Sequence, residues 1–251
     1  MMAEGLSTAL ALPGVVWVLS VTFVAGIVYG FAGFGAALIF MPVATAFLAP
    51  TLAVGAFSVS ALISLVTVVP KAVRHCNRIH VGQLVLAAVV MMPLGLYALS
   101  TWEITLLRWL VLLVAAGTLT SLVFGWRRKA GTGWRARFGI GGASGLVGGA
   151  TGLVGPIAVL FQLSSTDGPE RGRANTIVFL TLTSLLTLPL MWGQGILTEN
   201  ALWLGVLLIP PYGLGSLVGQ ALFDPEKERL YRLVAYSVIA AAIVGGLPVW
   251  G

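Results

Sequence analysis

An all-α, polytopic membrane protein made of two homologous halves is the architecture this sequence predicts, and three observations predict it. Hydrophobic residues make up 58% of the chain and charged residues only 9%, against about 25% in a domain whose surface faces water. The apolar residues fall in runs long enough to cross a bilayer, which needs about 20 residues per helix. Glycine-rich patterns in the first half recur in the second at nearly constant spacing. The mean hydropathy of +1.00 and the 32 glycines agree, since small residues let membrane helices approach closely.

The elements follow in order. The N-terminus has Glu4 as its only early charge and no basic region before the apolar run. It therefore reads as a retained span rather than a signal peptide. The run from Leu12 to Ala49 is too long for one span and is interrupted at Gly30, Gly33 and Gly35, with Pro42 following. Further runs cover Thr51 to Pro70, Val81 to Ser100 and Thr105 to Trp126. A polar link, residues 127–137, carries Arg127, Arg128, Lys129, Arg135 and Arg137. Another long run, Phe138 to Ser165, is broken at Gly148, Gly149, Gly152 and Gly155-Pro156. Runs from Ala174 to Trp192, Ala201 to Phe223 and Leu230 to Trp250 complete the chain.

The two halves, 1–126 and 138–251, align in several places. Gly30 to Phe34 matches Gly149 to Leu153 at a spacing of 119, and Ala53 to Ala56 matches Arg173 to Thr176 at 120. Pro93-Leu94-Gly95 matches Pro211-Tyr212-Gly213 at 118, and Arg108 matches Arg232 at 124. Duplicated halves with helices broken at matching positions are typical of secondary transporters. About eight to ten transmembrane or half-membrane helices are expected. Unbroken long runs give eight spans and parallel halves; runs split in two give ten and inverted halves.

Loop charge sets the orientation. The loop from Lys71 to His80 carries Lys71, Arg74 and Arg78. That loop and the 127–137 link are expected in the cytoplasm of a bacterial inner membrane protein, and the acidic turn near Glu103 outside.

Several function classes fall away. The formal charge of +6 lies in short loops and does not mark nucleic-acid binding. One cysteine, Cys76, allows no internal disulfide. His75, Cys76 and His80 are too few for a metal site, and no cofactor is expected. No phosphate-binding glycine loop is present. Gly142-Ala143-Ser144-Gly145 matches a stretch of intramembrane serine proteases, but no histidine follows it to act as base; an enzyme is not expected.

The middles of the apolar runs hold no Asp, Glu, Lys or Arg. Buried carboxylates mark cation and proton paths, so a cation pump or an acid-ringed pore is disfavoured. Ser58, Ser60, Ser64 and Thr67, and Asn175, Thr176, Thr181, Thr183, Ser184 and Thr187, supply neutral donors instead. A helix that starts within the membrane also presents unpaired N–H groups and the positive end of its dipole. Two such starts suit an anion. The binding candidates are Gly30, Gly33, Phe34, Gly35, Ser58, Gly149, Thr151, Gly152, Gly155, Asn175 and Thr176. Lys71 and Arg74 are candidates for a cytoplasmic mouth that draws anions in. Against this stands ordinary packing, as in Gly26-x-x-x-Gly30, and hydroxyls bonded only to their own helix.

The chain resembles the sulfite exporter TauE/SafE family. The resemblance rests on Tyr29-Gly30-Phe31-Ala32-Gly33-Phe34-Gly35 with Met41-Pro42, and on Gly145-Leu146-Val147-Gly148-Gly149-Ala150-Thr151-Gly152. The stretches Ala53 to Ser58 and Arg173 to Thr176 complete it. It implies a permease for sulfite or organosulfonates such as sulfoacetate or sulfolactate. A carrier of another small carboxylate or inorganic anion is the alternative. A non-transport membrane subunit or intramembrane enzyme is the alternative of another class. The partners expected are the anion, the bilayer and a coupling proton or sodium ion, with a homodimer as one assembly and no nucleic acid.

Overall fold

The computed structural model describes residues 2–125, 133–164, 168–222 and 228–247. Among them every regular element is a helix, and six stretches are long and apolar enough to cross a membrane. Large apolar side chains such as Val16, Trp17, Leu113 and Trp192 stand exposed on the outer faces. Water would not tolerate such a surface on a soluble chain of this size; lipid does. The protein is a polytopic helical membrane protein.

The first long run is split as its glycines predict. Helix α1 (Met2–Leu10) precedes α2 (Val15–Ala32) and α3 (Ala36–Phe47). Between α2 and α3, Gly33 and Gly35 adopt φ of 77° and 93°, a region that costs residues with a side chain about 1–2 kcal/mol. The chain turns back there, because Phe47 at the end of α3 packs on Gly14, just before α2. The pair is a helical hairpin rather than a kinked rod.

The Thr51 to Pro70 run is less continuous than its composition suggests. It forms α4 (Pro50–Ala61), α5 (Ser64–Thr67) and, running on past Pro70, α6 (Val69–His75). The N–H groups of Leu62 and Ile63 bond only three residues back, to Val59 and Ser60. The Ser60 hydroxyl meanwhile takes the Phe57 carbonyl at 2.8 Å. These tighter rings interrupt the α-helical ladder. Helices α7 (Arg78–Thr101) and α8 (Ile104–Val123) follow.

Residues 126–132, with Arg127, Arg128 and Lys129, lie outside the described residues. The remainder of the expected link is already helical: α9 (Trp134–Thr151) includes Arg135 and Arg137, because arginine favours helix once Gly133 is passed. Helix α9 ends at Gly152, where φ is 74°, and α10 (Gly155–Ser164) begins after it. Helices α11 (Pro169–Gly193), α12 (Glu199–Leu222) and α13 (Glu228–Gly245) complete the fold.

Contacts at the helix ends give each element its direction. At one end the His75 Nδ1 lies 3.4 Å from the Glu170 carboxylate, and Arg137 donates to Gln83 at 3.0 Å. The end of α6 and the starts of α7, α9 and α11 therefore meet. At the other end Arg108 reaches the Ala46 carbonyl and Gly5 packs on Trp203. The α2–α3 hairpin opens at that second end. The α9–α10 pair opens at the first, since α10 leads directly into the start of α11. The two hairpins thus enter from opposite ends.

The most extensive helix contacts, α7 with α9 and α2 with α12, cross from one half of the chain to the other. Both are glycine seams. A Cβ at Gly149 would sit 2.5 Å from the Met92 carbonyl oxygen, and one at Gly26 2.5 Å from that of Tyr212. In lipid, helix association depends on such close backbone approach.

Candidate functional site

The two breaks meet at one cavity. Its wall takes Phe34, Gly35, Ala36, Ala37 and Leu38 from the first break and the start of α3, and Gly152, Val154, Gly155 and Pro156 from the second break and the start of α10. Helices α4 and α5 add Val54, Phe57, Ser58, Ala61 and Ser64; α11 adds Leu180, Thr181, Ser184 and Thr187. Tyr29 of α2 and Tyr212 of α12 close it, with Gly148 and Val159. The cavity measures about 50 Å³. One water needs about 10–15 Å³ on this measure, so the space suits a few waters or one small anion.

The donors are uncharged. The first intrahelical bond of α3 runs from the Ile39 N–H to the Gly35 carbonyl at 3.1 Å. The N–H groups of Ala36, Ala37 and Leu38 come before it and have no partner within the helix; no side chain caps them. Tyr29 and Thr181 hydroxyls lie 3.3 Å apart, and the rings of Tyr29 and Tyr212 lie 5.9 Å centre to centre. Ser64 Oγ is buried without a close hydrogen bond, its polar neighbours being the Tyr29 and Tyr212 hydroxyls. Several threonines are already occupied: Thr187 donates to the Thr183 carbonyl at 2.7 Å and contacts Met92 Sδ at 3.2 Å.

Of the residues expected from sequence, Phe34, Gly35, Ser58, Gly152 and Gly155 come together in this wall. The others stand apart from it. Gly30 packs on the Ser216 backbone of α12, and its carbonyl accepts from Arg173 Nη2 at 2.7 Å. Gly33 ends α2, its N–H donating to Tyr29 at 2.8 Å, and lies under the Arg173 stem. Gly149 packs on α7. Thr151 organises the second break: its hydroxyl donates to Val147 at 2.6 Å and accepts from the Leu153 N–H at 3.1 Å. Asn175 Oδ1 accepts from the Asn77 N–H at 2.7 Å, tying α11 to the start of α7. Thr176 bonds the Gly172 carbonyl at 2.9 Å. Lys71 and Arg74 stand exposed on α6, away from the cavity.

The two tyrosines were not among the sequence candidates, and neither was Ser64, Thr181, Ser184 or Thr187 as a site residue. Ser64 and Ser184 lie 120 residues apart, the same spacing as Ala53 and Arg173, and both reach the wall. That spacing is a signal that finds them. Tyr29 and Tyr212 have no aromatic residue at the matching positions, Gly148 and Leu94, and only the fold brings them in.

Comparison with known proteins adds the family. No curated protein and no solved structure matches the chain. A family model, described as sulfite exporter TauE/SafE, matches residues 18–245, a span that includes both broken helices and every residue of the cavity wall. A polytopic membrane chain matched over nearly its whole length, with two interrupted helices converging on a small donor-lined cavity, belongs to the sulfite exporter TauE/SafE family of membrane permeases.

Proposed function

We propose that this chain is a secondary permease that moves a small sulfur-containing anion across the plasma membrane, sulfite or an organosulfonate of the sulfoacetate or sulfolactate type. The observation that carries the reading is the convergence of the α3 and α10 N-termini on one cavity. Half-helix N-termini aimed at anionic substrate groups recur in transporters built from inverted halves. They supply positive potential and N–H donors without a buried cation. The halves 1–126 and 138–251 act as two repeats on this reading, each contributing one hairpin tip to the site. Alternating access then follows from movement of one repeat against the other around the cavity.

The end bearing Lys71, Arg74, Arg78, Arg135 and Arg137 faces the cytoplasm, in keeping with the usual excess of basic residues there. Carbonyls freed at the breaks offer sites for a coupling sodium ion. The test is uptake of radiolabelled sulfite and a sulfonate by proteoliposomes, with and without imposed proton or sodium gradients. Uptake competed by unlabelled anion supports the proposal. Folded, reconstituted protein that neither binds nor moves these anions overturns it.

A further inference from the structure

We infer that the cavity accepts its sulfur anion in singly charged form, as hydrogen sulfite or a sulfonate, and discriminates against doubly charged sulfite and sulfate. The inference rests on the proposed permease function and names the ionisation state that the site selects.

Among the described residues the cavity wall contains no Lys, Arg, Asp, Glu or His. Its titratable groups are the phenols of Tyr29 and Tyr212, which carry no charge near neutral pH. Arg173 stands behind the first break, where Nη2 donates to the Gly30 carbonyl at 2.7 Å; its charge is felt at Tyr29, but it is not part of the wall. What the site offers an anion is therefore a set of dipoles: the N–H groups of Ala36, Ala37 and Leu38, the positive end of α3, and hydroxyls. The start of α10 is the weaker of the two, because Pro156 at its second position has no N–H.

Ser64 supplies the independent sign of a missing ligand. Its side chain is 1% exposed, it lines the same cavity, and its Oγ makes no close hydrogen bond, only weaker ones with the Tyr29 and Tyr212 hydroxyls. A buried hydroxyl held only by such long contacts is under-satisfied, and an anion seated at the first turn of α3 would give it a full hydrogen bond.

A wall of dipoles treats charge number unequally. Attraction to fixed dipoles grows in proportion to the ion's charge, whereas the penalty for leaving water grows with its square. Doubling the charge thus doubles the attraction but raises dehydration about fourfold. A fixed cation in the wall would offset that difference; none lines this one. The apolar remainder of the wall, with Val54, Phe57, Val154 and Leu180, gives the second charge nothing to bond to.

The experiment is a binding series on purified protein with methanesulfonate, sulfite and sulfate, at several values from about pH 6 to about pH 8.5. Methanesulfonate is a monoanion throughout, and its affinity should stay flat. Total sulfite loses its singly charged form as pH rises, so its apparent affinity should fall towards about tenfold per pH unit at the alkaline end. Sulfate should bind at least about tenfold more weakly than methanesulfonate. S64A should weaken methanesulfonate and hydrogen sulfite alike, without lowering the melting temperature of the ligand-free protein. Sulfate bound as tightly as methanesulfonate, or sulfite affinity unchanged over the series, overturns the inference and leaves the permease reading standing. Failure of all three anions to bind removes the permease reading, and this inference with it.

Discussion

The Arg173 guanidinium on α11 donates a 2.7 Å hydrogen bond to the carbonyl of Gly30, in the last turn of α2. The carbonyls of a last helical turn lack partners within the helix and carry the negative end of its dipole. Gly30 is buried, so little water is at hand to meet them. Arg173 covers that end, and its aliphatic stem lies against Gly33. The same helix carries Thr181, Ser184 and Thr187 of the cavity wall. Arg173 therefore couples the geometry of the first break to the α11 side of the cavity.

Replacing Arg173 with Met should keep the stem but lose the charged hydrogen bond, destabilising the protein by about 1–3 kcal/mol. R173K should recover part of the loss, because an ammonium carries the charge without the planar fork. Thermal unfolding in detergent reads both. Anion uptake should fall further than folded protein content, with the loss mainly in KM, if the break geometry serves the site.

The glycine seams predict a sharp contrast between positions. G149A places a methyl 2.5 Å from the Met92 carbonyl oxygen and should cost about 1–3 kcal/mol through forced separation of α7 and α9. Gly117 lies in α8 with nothing within 4 Å of a Cβ. G117A should be neutral or stabilise by up to about 1 kcal/mol. Melting temperatures of the two variants, compared with the unaltered protein, check the pair.

Tyr29 faces the cavity and shares a 3.3 Å hydroxyl contact with Thr181. Y29F removes one donor while retaining the ring that packs against Tyr212. Its folded yield should match that of the unaltered protein, and its KM for the anion should rise about 3- to 10-fold, the loss of one neutral hydrogen bond. An unchanged KM would show that the phenol does not meet the substrate.

Gly35 opens α3 with φ of 93°. G35A should strain the break by about 1–2 kcal/mol and displace the first N–H groups of α3. Anion affinity should drop at least as steeply as stability; binding and unfolding measured on the same preparation separate the two effects.

Orientation is checked with cysteines. In a C76S background, K71C and E103C should react with a membrane-impermeant maleimide from opposite sides of sealed vesicles. Labelling of both from one side would contradict the reading of loop charge.

Much of the architecture was legible in the residues themselves. A chain with 9% charged residues has no way to solvate a surface in water, so a membrane helix bundle followed from composition. The long runs break at glycines, because glycine accepts at little cost the left-handed backbone found at Gly33, Gly35 and Gly152. Cavity residues close to those breaks, Phe34, Gly35, Gly152 and Gly155, were accordingly identifiable in advance, and Ser58 with them.

The tertiary structure decided what local pattern leaves open. Gly30 and Gly149 read like break residues, yet they serve helix seams, because their environment is set by α12 and α7, far away in sequence. Asn175 and Thr176 looked like cavity donors, but the Gly172 carbonyl takes the Thr176 hydroxyl, and Asn175, whose Oδ1 accepts from the Asn77 N–H, lies outside the cavity wall. Tyr29 and Tyr212, 183 residues apart in the chain, meet only because α2 packs along α12. Breaks and spans are short-range properties, dictated by backbone freedom and hydrophobicity over a few turns. Which surfaces face one another depends on long-range packing, and that alone turned two interrupted helices into the walls of a single cavity.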